Sequence, residues 1–170
     1  MNAIAYFDKN SSVNQLGVSG VIKIHQCCPR TNSIVTIELH NLPPNSTRAI
    51  HIHEFGNITK GCMSAGPHYN PYNKNHGNID IHGKERHVGD LINNITSNSN
   101  GDVFFEYEDD LVKLFGPTSV IGRSIVIHNG VDDLGLGGTD ESLKTGSAGS
   151  RMACAIISRA KDGNFTWLEV

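Results

Sequence analysis

Six of the chain's nine histidines stand out by their spacing, and two of them form the short pattern His51-Ile52-His53. Residues two apart in a strand project from the same face, so this pair can present two imidazoles to one ion. The other four histidines follow downstream with one carboxylate; these residues are His68, His76, His87, Asp90 and His128. Neutral imidazole is the commonest metal ligand and suits zinc and copper alike. The set therefore predicts a metal centre.

The candidate ligands divide into two kinds of site. Three histidines with one aspartate make a closed, four-coordinate set of the type that structural zinc prefers. An all-nitrogen set with an open position suits copper(II). The residue types indicate two different ions, but they do not assign each histidine to one of them.

Size and charge exclude several classes of protein. A chain of 170 residues is one domain with room for a proper core. The net charge of −3, with no basic stripe, argues against nucleic acid as a partner, and an anionic substrate would need a local positive field. No segment has the length and apolarity of a membrane span, and the N-terminal residues do not resemble a signal peptide. We expect a cytoplasmic protein without a membrane partner, in the host cytoplasm if the source is viral.

Short segments with alternating polarity, separated by Gly, Pro, Asn and Asp, predict the elements that hold these ligands. The expected strands span residues 2–7, 18–26, 33–40, 49–53, 88–94, 102–107, 124–128 and 152–158. Eight short strands predict an all-β, antiparallel sandwich or barrel. Two long connections, residues 54–86 and 129–151, carry or flank the candidate ligands, which indicates functional loops. Only a short helical turn is expected in the second, at residues 140–144.

Six stretches carry motifs that resemble the copper/zinc superoxide dismutase family. They are His-Glu-Phe-Gly (53–56), Gly-Cys-Met-Ser-Ala-Gly-Pro-His (61–68), Glu-Arg-His-Val-Gly-Asp (85–90), Ile-Gly-Arg-Ser-Ile-Val-Ile-His (121–128), Asp-Asp-Leu-Gly (132–135) and Lys-Thr-Gly-Ser-Ala-Gly-Ser-Arg-Met-Ala-Cys (144–154). In combination these motifs are highly specific. The resemblance covers residues 1–158, so residues 159–170 are expected to form a C-terminal extension.

The resemblance implies an eight-stranded Greek-key barrel and an enzyme that dismutates superoxide to oxygen and hydrogen peroxide. A redox-cycling copper would be held by His51, His53, His68 and His128. A structural zinc would be held by His68, His76, His87 and Asp90. His68 would then serve both ions as a bridging imidazolate and would donate a proton to the second superoxide. Two flanking cations make the loss of both ring protons feasible.

Further roles follow from the same resemblance. Asp132 would join His51 to His76 and orient both rings. Arg151 would hold the anion beside the copper. Steering of the anion would involve four residues at the mouth of the channel, namely Asp140, Glu141, Lys144 and Thr145. Cys62 and Cys154 would form a disulfide, while Cys27 and Cys28 are expected to be reduced thiols. Phe55-Gly56 resembles the family's dimer contact, so we expect a homodimer, and a copper chaperone is a possible further partner.

The stretch between His76 and His87 departs from the family pattern, because it is longer and adds His82. His82 could replace His76 as a ligand, although the preserved spacing from His68 and the following Gly77 favour His76. A copper-only or weakly zinc-loaded enzyme is therefore one alternative. A non-enzymatic, chaperone-like relative is a second, and the complete ligand set with Arg151 argues against it. A metal-buffering or structural protein is a third, but it would not need Arg151 or Lys144. In the extension, Phe165, Trp167 and Val170 are apolar enough to pack.

Overall fold

A computed structural model describes residues 1–161, and these residues fold around one antiparallel sheet. Their strands are β1 (Asn2–Phe7), β2 (Ser19–His25), β3 (Ser33–His40), β4 (Thr47–His53), β5 (Thr59–Cys62), β6 (Asn94–Thr96), β7 (Val103–Asp109), β8 (Ser124–His128) and β9 (Arg151–Ala160), and their helices are α1 (Ile79–His82) and α2 (Ser142–Thr145). The order of the eight-stranded sheet is β6-β4-β8-β9-β1-β2-β3-β7, with β5 outside it. The predicted all-β, eight-stranded antiparallel fold is confirmed.

The two outer strands of this order, β6 and β7, are consecutive in the chain and are joined by residues 97–102 alone. A flat sheet of eight strands would separate its edges by about 34 Å. A six-residue segment reaches roughly 20 Å. The sheet therefore curls into a nearly closed barrel. Hydrogen bonds from Ser97 N to Ser46 O and from Leu42 N to Gly101 O, both 3.0 Å, link this segment to the one that joins β3 to β4.

Alternation along the strands decides what fills the barrel and what lies on its outside. The apolar interior includes Ala3, Ala5, Phe7, Ile22, Ile24, Val35, Ile37, Leu39, Ile50, Ile52, Ile125, Ile127, Ala153, Ala155 and Ile157. Because successive side chains point to opposite faces, His51 and His53 on β4 project outward when Ile50 and Ile52 project inward. These histidines are nevertheless buried, since the two long loops cover that outer face.

The strand predicted at residues 88–94 is wrong. Val88–Asp90 is a 3₁₀ turn, and β6 begins only at Asn94. Leu91 and Asn93 have φ values of 50° and 64°, a left-handed conformation that no extended strand accommodates. The Asp90 carboxylate also accepts a hydrogen bond from His87 N, which closes the turn. The apolar pattern here reflects burial beneath the first loop.

The two long connections are not structureless. The first contains β5 and α1, which the sequence did not predict, and the second contains α2 close to the turn expected at 140–144. β9 continues to Ala160, two residues past the predicted domain boundary. Phe165, Trp167 and Val170 lie outside the described residues. Within residues 1–161, no helix has the length and apolarity needed to cross a membrane.

Candidate metal centre

Strand β4 provides the first two nitrogen ligands. His51 and His53 lie side by side on its outer face, and both are at most 1% exposed. His51 Nε2 donates to Asp132 Oδ2 at 2.6 Å, and His53 Nδ1 donates to the Gly66 carbonyl at 2.8 Å. Each bond fixes the proton on one ring nitrogen, so His51 Nδ1 and His53 Nε2 carry the lone pairs.

A third nitrogen comes from His128, the last residue of β8. The pairing register of β8 and β9 shifts between Ile127 and His128. The unpaired residue, Met152, is on β9, so His128 keeps the outward direction that Val126 has on β8, and its Nε2 lies 3.2 Å from His53 Nε2. His128 Nδ1 donates to the Gly149 carbonyl at 3.1 Å. Two nitrogens bound to one ion would lie about 3 Å apart, given metal–nitrogen bonds of roughly 2 Å.

His68 completes this set from the first loop. A backbone bridge pairs it with His53, and the Ile52 carbonyl accepts from Tyr69 N at 2.8 Å, so this part of the loop runs beside β4. We call His51, His53, His68 and His128 the four-histidine group; their ligand nitrogens lie within 4.8 Å of one another. Among the described side chains, His51 Nδ1 and His68 Nε2 are buried nitrogens without a hydrogen-bond partner. Buried polar atoms are normally partnered, so these two fit a bound metal ion.

A second group is built around one carboxylate oxygen. Asp90 Oδ1 lies 3.2, 2.8 and 3.0 Å from the Nδ1 atoms of His68, His76 and His87 respectively. The other oxygen, Oδ2, accepts from Gly77 N and from His87 N, both at 2.9 Å. We call these four residues the His3Asp group. Three nitrogens and one oxygen, all buried, match the closed donor set of structural zinc.

His68 belongs to both groups. Its Nδ1 faces Asp90, and its Nε2 is the unpartnered atom on the side of the four-histidine group. The distance between the ring centroids of His68 and His51 is 4.0 Å, and that between His68 and His76 is 5.3 Å. One imidazole therefore separates two candidate ion positions, with one nitrogen directed at each.

Asp132 links the two groups a second time. Its Oδ2 accepts from His51 Nε2 at 2.6 Å and its Oδ1 from His76 Nε2 at 2.9 Å, the pair of contacts that the sequence predicts. Burial would raise the pKa of this carboxyl, but hydrogen bonds from His51 and His76 hold the pKa below its usual range. Asp132 is therefore an anion that orients one ring from each group.

The two groups differ in their protonation. Burial lowers the pKa of His51 and of His53, with a further lowering by His68, and burial brings the pKa of His128 to about 4. Burial also lowers the pKa of His76, but hydrogen bonds to Asp132 and Asp90 outweigh it and raise the pKa to about 9. At neutral pH without metal, these three members of the four-histidine group are neutral, whereas His76 carries a proton.

A cleft of about 480 Å³ leads to the four-histidine group and is lined by Arg151 with His53, His68 and His128. The guanidinium of Arg151 is half-buried, and its Nη1 donates to the Cys62 carbonyl at 3.0 Å. The predicted disulfide between Cys62 and Cys154 is present, with 5.6 Å between the Cα atoms. The disulfide joins β5 to β9 at a point three residues from Arg151. It therefore holds the Cys62 carbonyl, which accepts the hydrogen bond from the Arg151 guanidinium, close to β9.

The four predicted steering residues lie on and just before α2. Glu141 and Thr145 line the Arg151 cleft, and Thr145 Oγ1 donates to Glu141 Oε1 at 2.6 Å. Lys144 instead lines a neighbouring cleft that reaches His68 and His87. Asp140 is exposed and lines neither cleft. The structure thus brings three of the four residues to the two openings.

His82 is not part of either group of candidate ligands. Its Nδ1 accepts from Asn78 N at 3.0 Å, whereas His76 lies 2.8 Å from Asp90. The geometry favours His76 over His82 in the His3Asp group. Of the remaining thiols, Cys27 and Cys28 are free and exposed.

Sequence reasoning missed the residues that hold the centre through their amides and carbonyls. Asn94 clamps the backbone of Asp132: its Oδ1 accepts from Asp132 N at 2.8 Å and its Nδ2 donates to Asp132 O at 3.0 Å. Asn93 donates to Asp132 Oδ2 at 3.3 Å. Gly66 and Gly149 contribute only carbonyls. Every residue has a backbone carbonyl, so the residue type does not show which carbonyl accepts a ligand's proton. In an asparagine-rich chain, Asn93 and Asn94 do not stand out either.

Comparison with known proteins adds an independent result. A family model for copper/zinc superoxide dismutase matches residues 18–157. The copper–zinc superoxide dismutases of Candida glabrata and Saccharomyces cerevisiae are each 52% identical over 141 residues, which are 83% of this chain and 90% of either relative. That of Kluyveromyces lactis is 45% identical over 157 residues, 92% of this chain and 96% of the relative. The family match spans both histidine groups and Arg151.

Proposed function

The chain belongs to the copper/zinc superoxide dismutase family, and on that premise we propose which of its residues carry out the reaction. The activity is the conversion of two superoxide ions and two protons into oxygen and hydrogen peroxide, with copper and zinc as cofactors. The observation that carries the assignment is the position of His68, whose two ring nitrogens face two different groups of buried ligands.

In this assignment, copper is held by the four-histidine group and zinc by the His3Asp group. Lone pairs on His51 Nδ1, His53 Nε2 and His128 Nε2 support the copper position, because the opposite nitrogen of each ring donates to protein oxygen. When bound, copper supplies one-electron exchange with superoxide, and zinc supplies a redox-silent charge that fixes the shared imidazole.

Arg151 is the anion-docking residue of the proposal. Its guanidinium is permanently charged and lines the same cleft as His53 and His128. The bond from Nη1 to the Cys62 carbonyl fixes the direction of the side chain, which leaves the rest of the planar fork to bind a small anion. A fixed cation lowers the entropy cost of docking, so substrate is held next to the ligands.

His68 is the residue proposed to move a proton. Its Nε2, the nitrogen assigned to copper, lacks a protein partner, so when it is not bound to the ion it can hold a proton and pass it to the oxygen of a reduced substrate. Asp90 keeps the other nitrogen oriented during the transfer. The second proton of hydrogen peroxide comes from solvent through the open cleft.

Lys144 is proposed to draw the anion toward these clefts, with Thr145 at the rim and Asp140 and Glu141 shaping the field. Support comes from position: Glu141 and Thr145 line the substrate cleft, and Lys144 lies on the same helix, α2. A local positive field is needed because the whole chain carries a net charge of −3.

Assembly and location complete the proposal. We infer a homodimer that uses Phe55, which is 53% exposed, together with Gly56. A cytoplasmic location is supported by the exposed free thiols of Cys27 and Cys28, which suit a reducing compartment. Copper would be delivered there by a chaperone. The dismutase domain would extend to the end of β9 at Ala160, two residues past the predicted boundary, and the extension would begin after it.

Metal analysis with a dismutation assay tests the assignment. We expect one copper and one zinc per chain in the reconstituted protein, with fast activity. Arg151→Ala should lower kcat/KM by about tenfold or more while both metals remain bound. Arg159→Ala, which removes an exposed arginine from the same strand, is the matched control and should change neither quantity. Normal activity in Arg151→Ala would contradict the docking role.

A further inference from the structure

The longer stretch between His76 and His87 folds into α1, a single helical turn that begins at a buried asparagine. Asn78 is the N-cap residue: its Oδ1 accepts from Asp80 N at 2.9 Å and from Ile81 N at 3.3 Å. An asparagine in this position stabilises a helix start. Because the carbonyl oxygen of the side chain is engaged by two backbone donors, the amide nitrogen must point the other way.

His82 holds this turn from its other end. Its Nδ1 accepts from Asn78 N at 3.0 Å, which satisfies the backbone donor of the cap residue. Its ring also packs on Gly77, where an added Cβ would lie 2.9 Å from the imidazole. The histidine that the sequence adds to this loop therefore fixes the position of Asn78.

The amide nitrogen of Asn78 connects the turn to the metal centre. Asn78 Nδ2 donates to Asn93 Oδ1 at 3.0 Å. This bond makes the oxygen of Asn93 face Asn78, so the nitrogen of Asn93 faces the opposite side. There Asn93 Nδ2 donates to the Gly77 carbonyl at 2.9 Å and to Asp132 Oδ2 at 3.3 Å. Asp132 in turn orients His51 and His76.

The backbone of Asn93 is already fixed on both sides. Asn93 N donates to the Asp90 carbonyl at 2.9 Å, and the Asn93 carbonyl accepts from Ile50 N, next to His51, at 2.8 Å. With the main chain held, the remaining freedom of Asn93 is in its side chain, chiefly which end of the amide faces Asp132. Only the nitrogen end attracts the carboxylate, and Asn78 on one side and the Gly77 carbonyl on the other select that end.

We propose that Asn78 is a positioning residue of the metal centre, acting through the Asn93 amide on Asp132. The proposal rests on the ligand assignment given above, because it concerns the carboxylate that joins one ligand of each group. The stretch between His76 and His87 then does more than connect two ligands. It adds a donor that fixes how Asp132 holds His76 and, through it, zinc.

Two substitutions keep the helix cap and remove the donor. Asn78→Asp is nearly isosteric and retains the acceptor for Asp80 N and Ile81 N. Its second oxygen would repel Asn93 Oδ1 and displace the Asn93 amide, which would weaken the bonds from Asn93 Nδ2 to Asp132 and to the Gly77 carbonyl. Asn78→Ser also caps a helix, but it is neutral and too short to reach Asn93. Asn75→Asp introduces the same charge next to His76 on an exposed side chain, and serves as the control.

The measurement is zinc release from the copper- and zinc-loaded protein to a chromogenic chelator, together with the visible spectrum of protein carrying cobalt(II) in place of zinc. Both Asn78 variants should release zinc about tenfold faster than wild type, as expected when a partner outside the ligand set is lost. Both should also shift the cobalt spectrum, which a purely structural role of the turn would leave unchanged. Asn75→Asp should match wild type in both readouts.

The possible results distinguish a failure of the role of Asn78 from a failure of the ligand assignment. Wild-type release rates and spectra in both Asn78 variants would overturn the role of Asn78 and leave the ligand assignment intact. A wild-type protein that binds neither zinc nor cobalt at the His3Asp group would instead overturn the assignment, and this inference with it.

Discussion

The four-histidine group and the His3Asp group share His68 but are built in different ways. Three members of the four-histidine group lie on barrel strands, His51 and His53 on β4 and His128 on β8. All of the second lies in or just after the first loop, around the Asp90 carboxylate. Strands position side chains rigidly, whereas a loop of this length needs contacts of its own to hold its side chains in place. Here those contacts come from Asp90, which is itself one of the ligands.

The electrostatics of the two groups follow from this difference. On the barrel, the backbone carbonyls of Gly66 and Gly149 fix the ring protons of His53 and His128 without adding charge, and burial keeps both imidazoles neutral. In the loop, two carboxylates surround His76 and stabilise its protonated form. The first group is ready for a metal ion at neutral pH, whereas the second must exchange a proton for its metal.

Removal of a ligand should give the largest effect and should differ between the groups. His128→Ala should reduce dismutation to background, a greater loss than the roughly 10–100-fold expected when only a partner of a ligand is removed. His76→Ala should lose zinc and retain copper with partial activity. Metal analysis and rate measurements on the same samples check both expectations. His40→Ala, outside both groups, is the control, and equal losses in the His128 and His76 variants would contradict the division of roles.

Asp132→Asn should weaken both groups at once. An asparagine amide has one oxygen and one nitrogen, so its NH2 group would face either His51 Nε2 or His76 Nε2. Each of these ring nitrogens already donates a hydrogen bond, so two donors would meet and repel each other. We expect zinc affinity to fall by roughly 10–100-fold and copper affinity to fall less, because His51 stands on a strand. Competition titrations with a chelator measure both constants. Asp133→Asn alters a carboxylate that contacts Gly135 and Ser142 instead, and should leave the affinities unchanged.

Added alone to the metal-free protein, zinc should bind with a stronger dependence on pH than copper. His76 has a raised pKa of about 9 in the metal-free fold, so it binds a proton at pH 7 that zinc must displace. Zinc affinity should therefore rise by up to about tenfold per pH unit between pH 7 and 9 and then level off. The pKa of His128 is lowered to about 4, so this ligand is neutral above pH 6 and adds no such slope for copper.

Calorimetry in buffers with different ionisation enthalpies counts the protons released. An equal proton count for zinc and copper, each added alone to the metal-free protein, would be the contrary result.

The raised pKa of His76 also affects the stability of the protein without metal. Because the folded pKa of His76 exceeds its unfolded value of about 6.5, its contribution is complete below pH 6.5 and is lost as the pH rises toward 9.

The smallest expected effect concerns the approach of substrate. Lys144→Gln should lower kcat/KM by about twofold to threefold at low ionic strength, and the difference should disappear in high salt. Neither metal group should change its occupancy. Lys9→Gln removes an exposed lysine that lines neither cleft and is the control. A loss that persists in high salt would point to a structural role for Lys144.

Much of this arrangement could be predicted from short patterns. His-x-His on a period-2 segment requires two imidazoles on one face, and the run of apolar residues between polar turns requires a sheet. The motif around Cys62 and Cys154 led to the disulfide that the structure contains. The strand predicted at 88–94 was wrong because apolar burial under a loop imitates the pattern of a strand.

By itself, then, the sequence determined the ligand types, the all-β class and the family, because these depend on residue identity and on spacing along the chain. Only the tertiary structure decided which nitrogen of His51, His53 and His128 is free, since that depends on the Asp132 carboxylate and on the carbonyls of Gly66 and Gly149. It also decided that His82 accepts a hydrogen bond from Asn78 N, whereas His76 contacts the Asp90 carboxylate. Hydrogen bonds between distant segments set these choices, and local sequence does not record them.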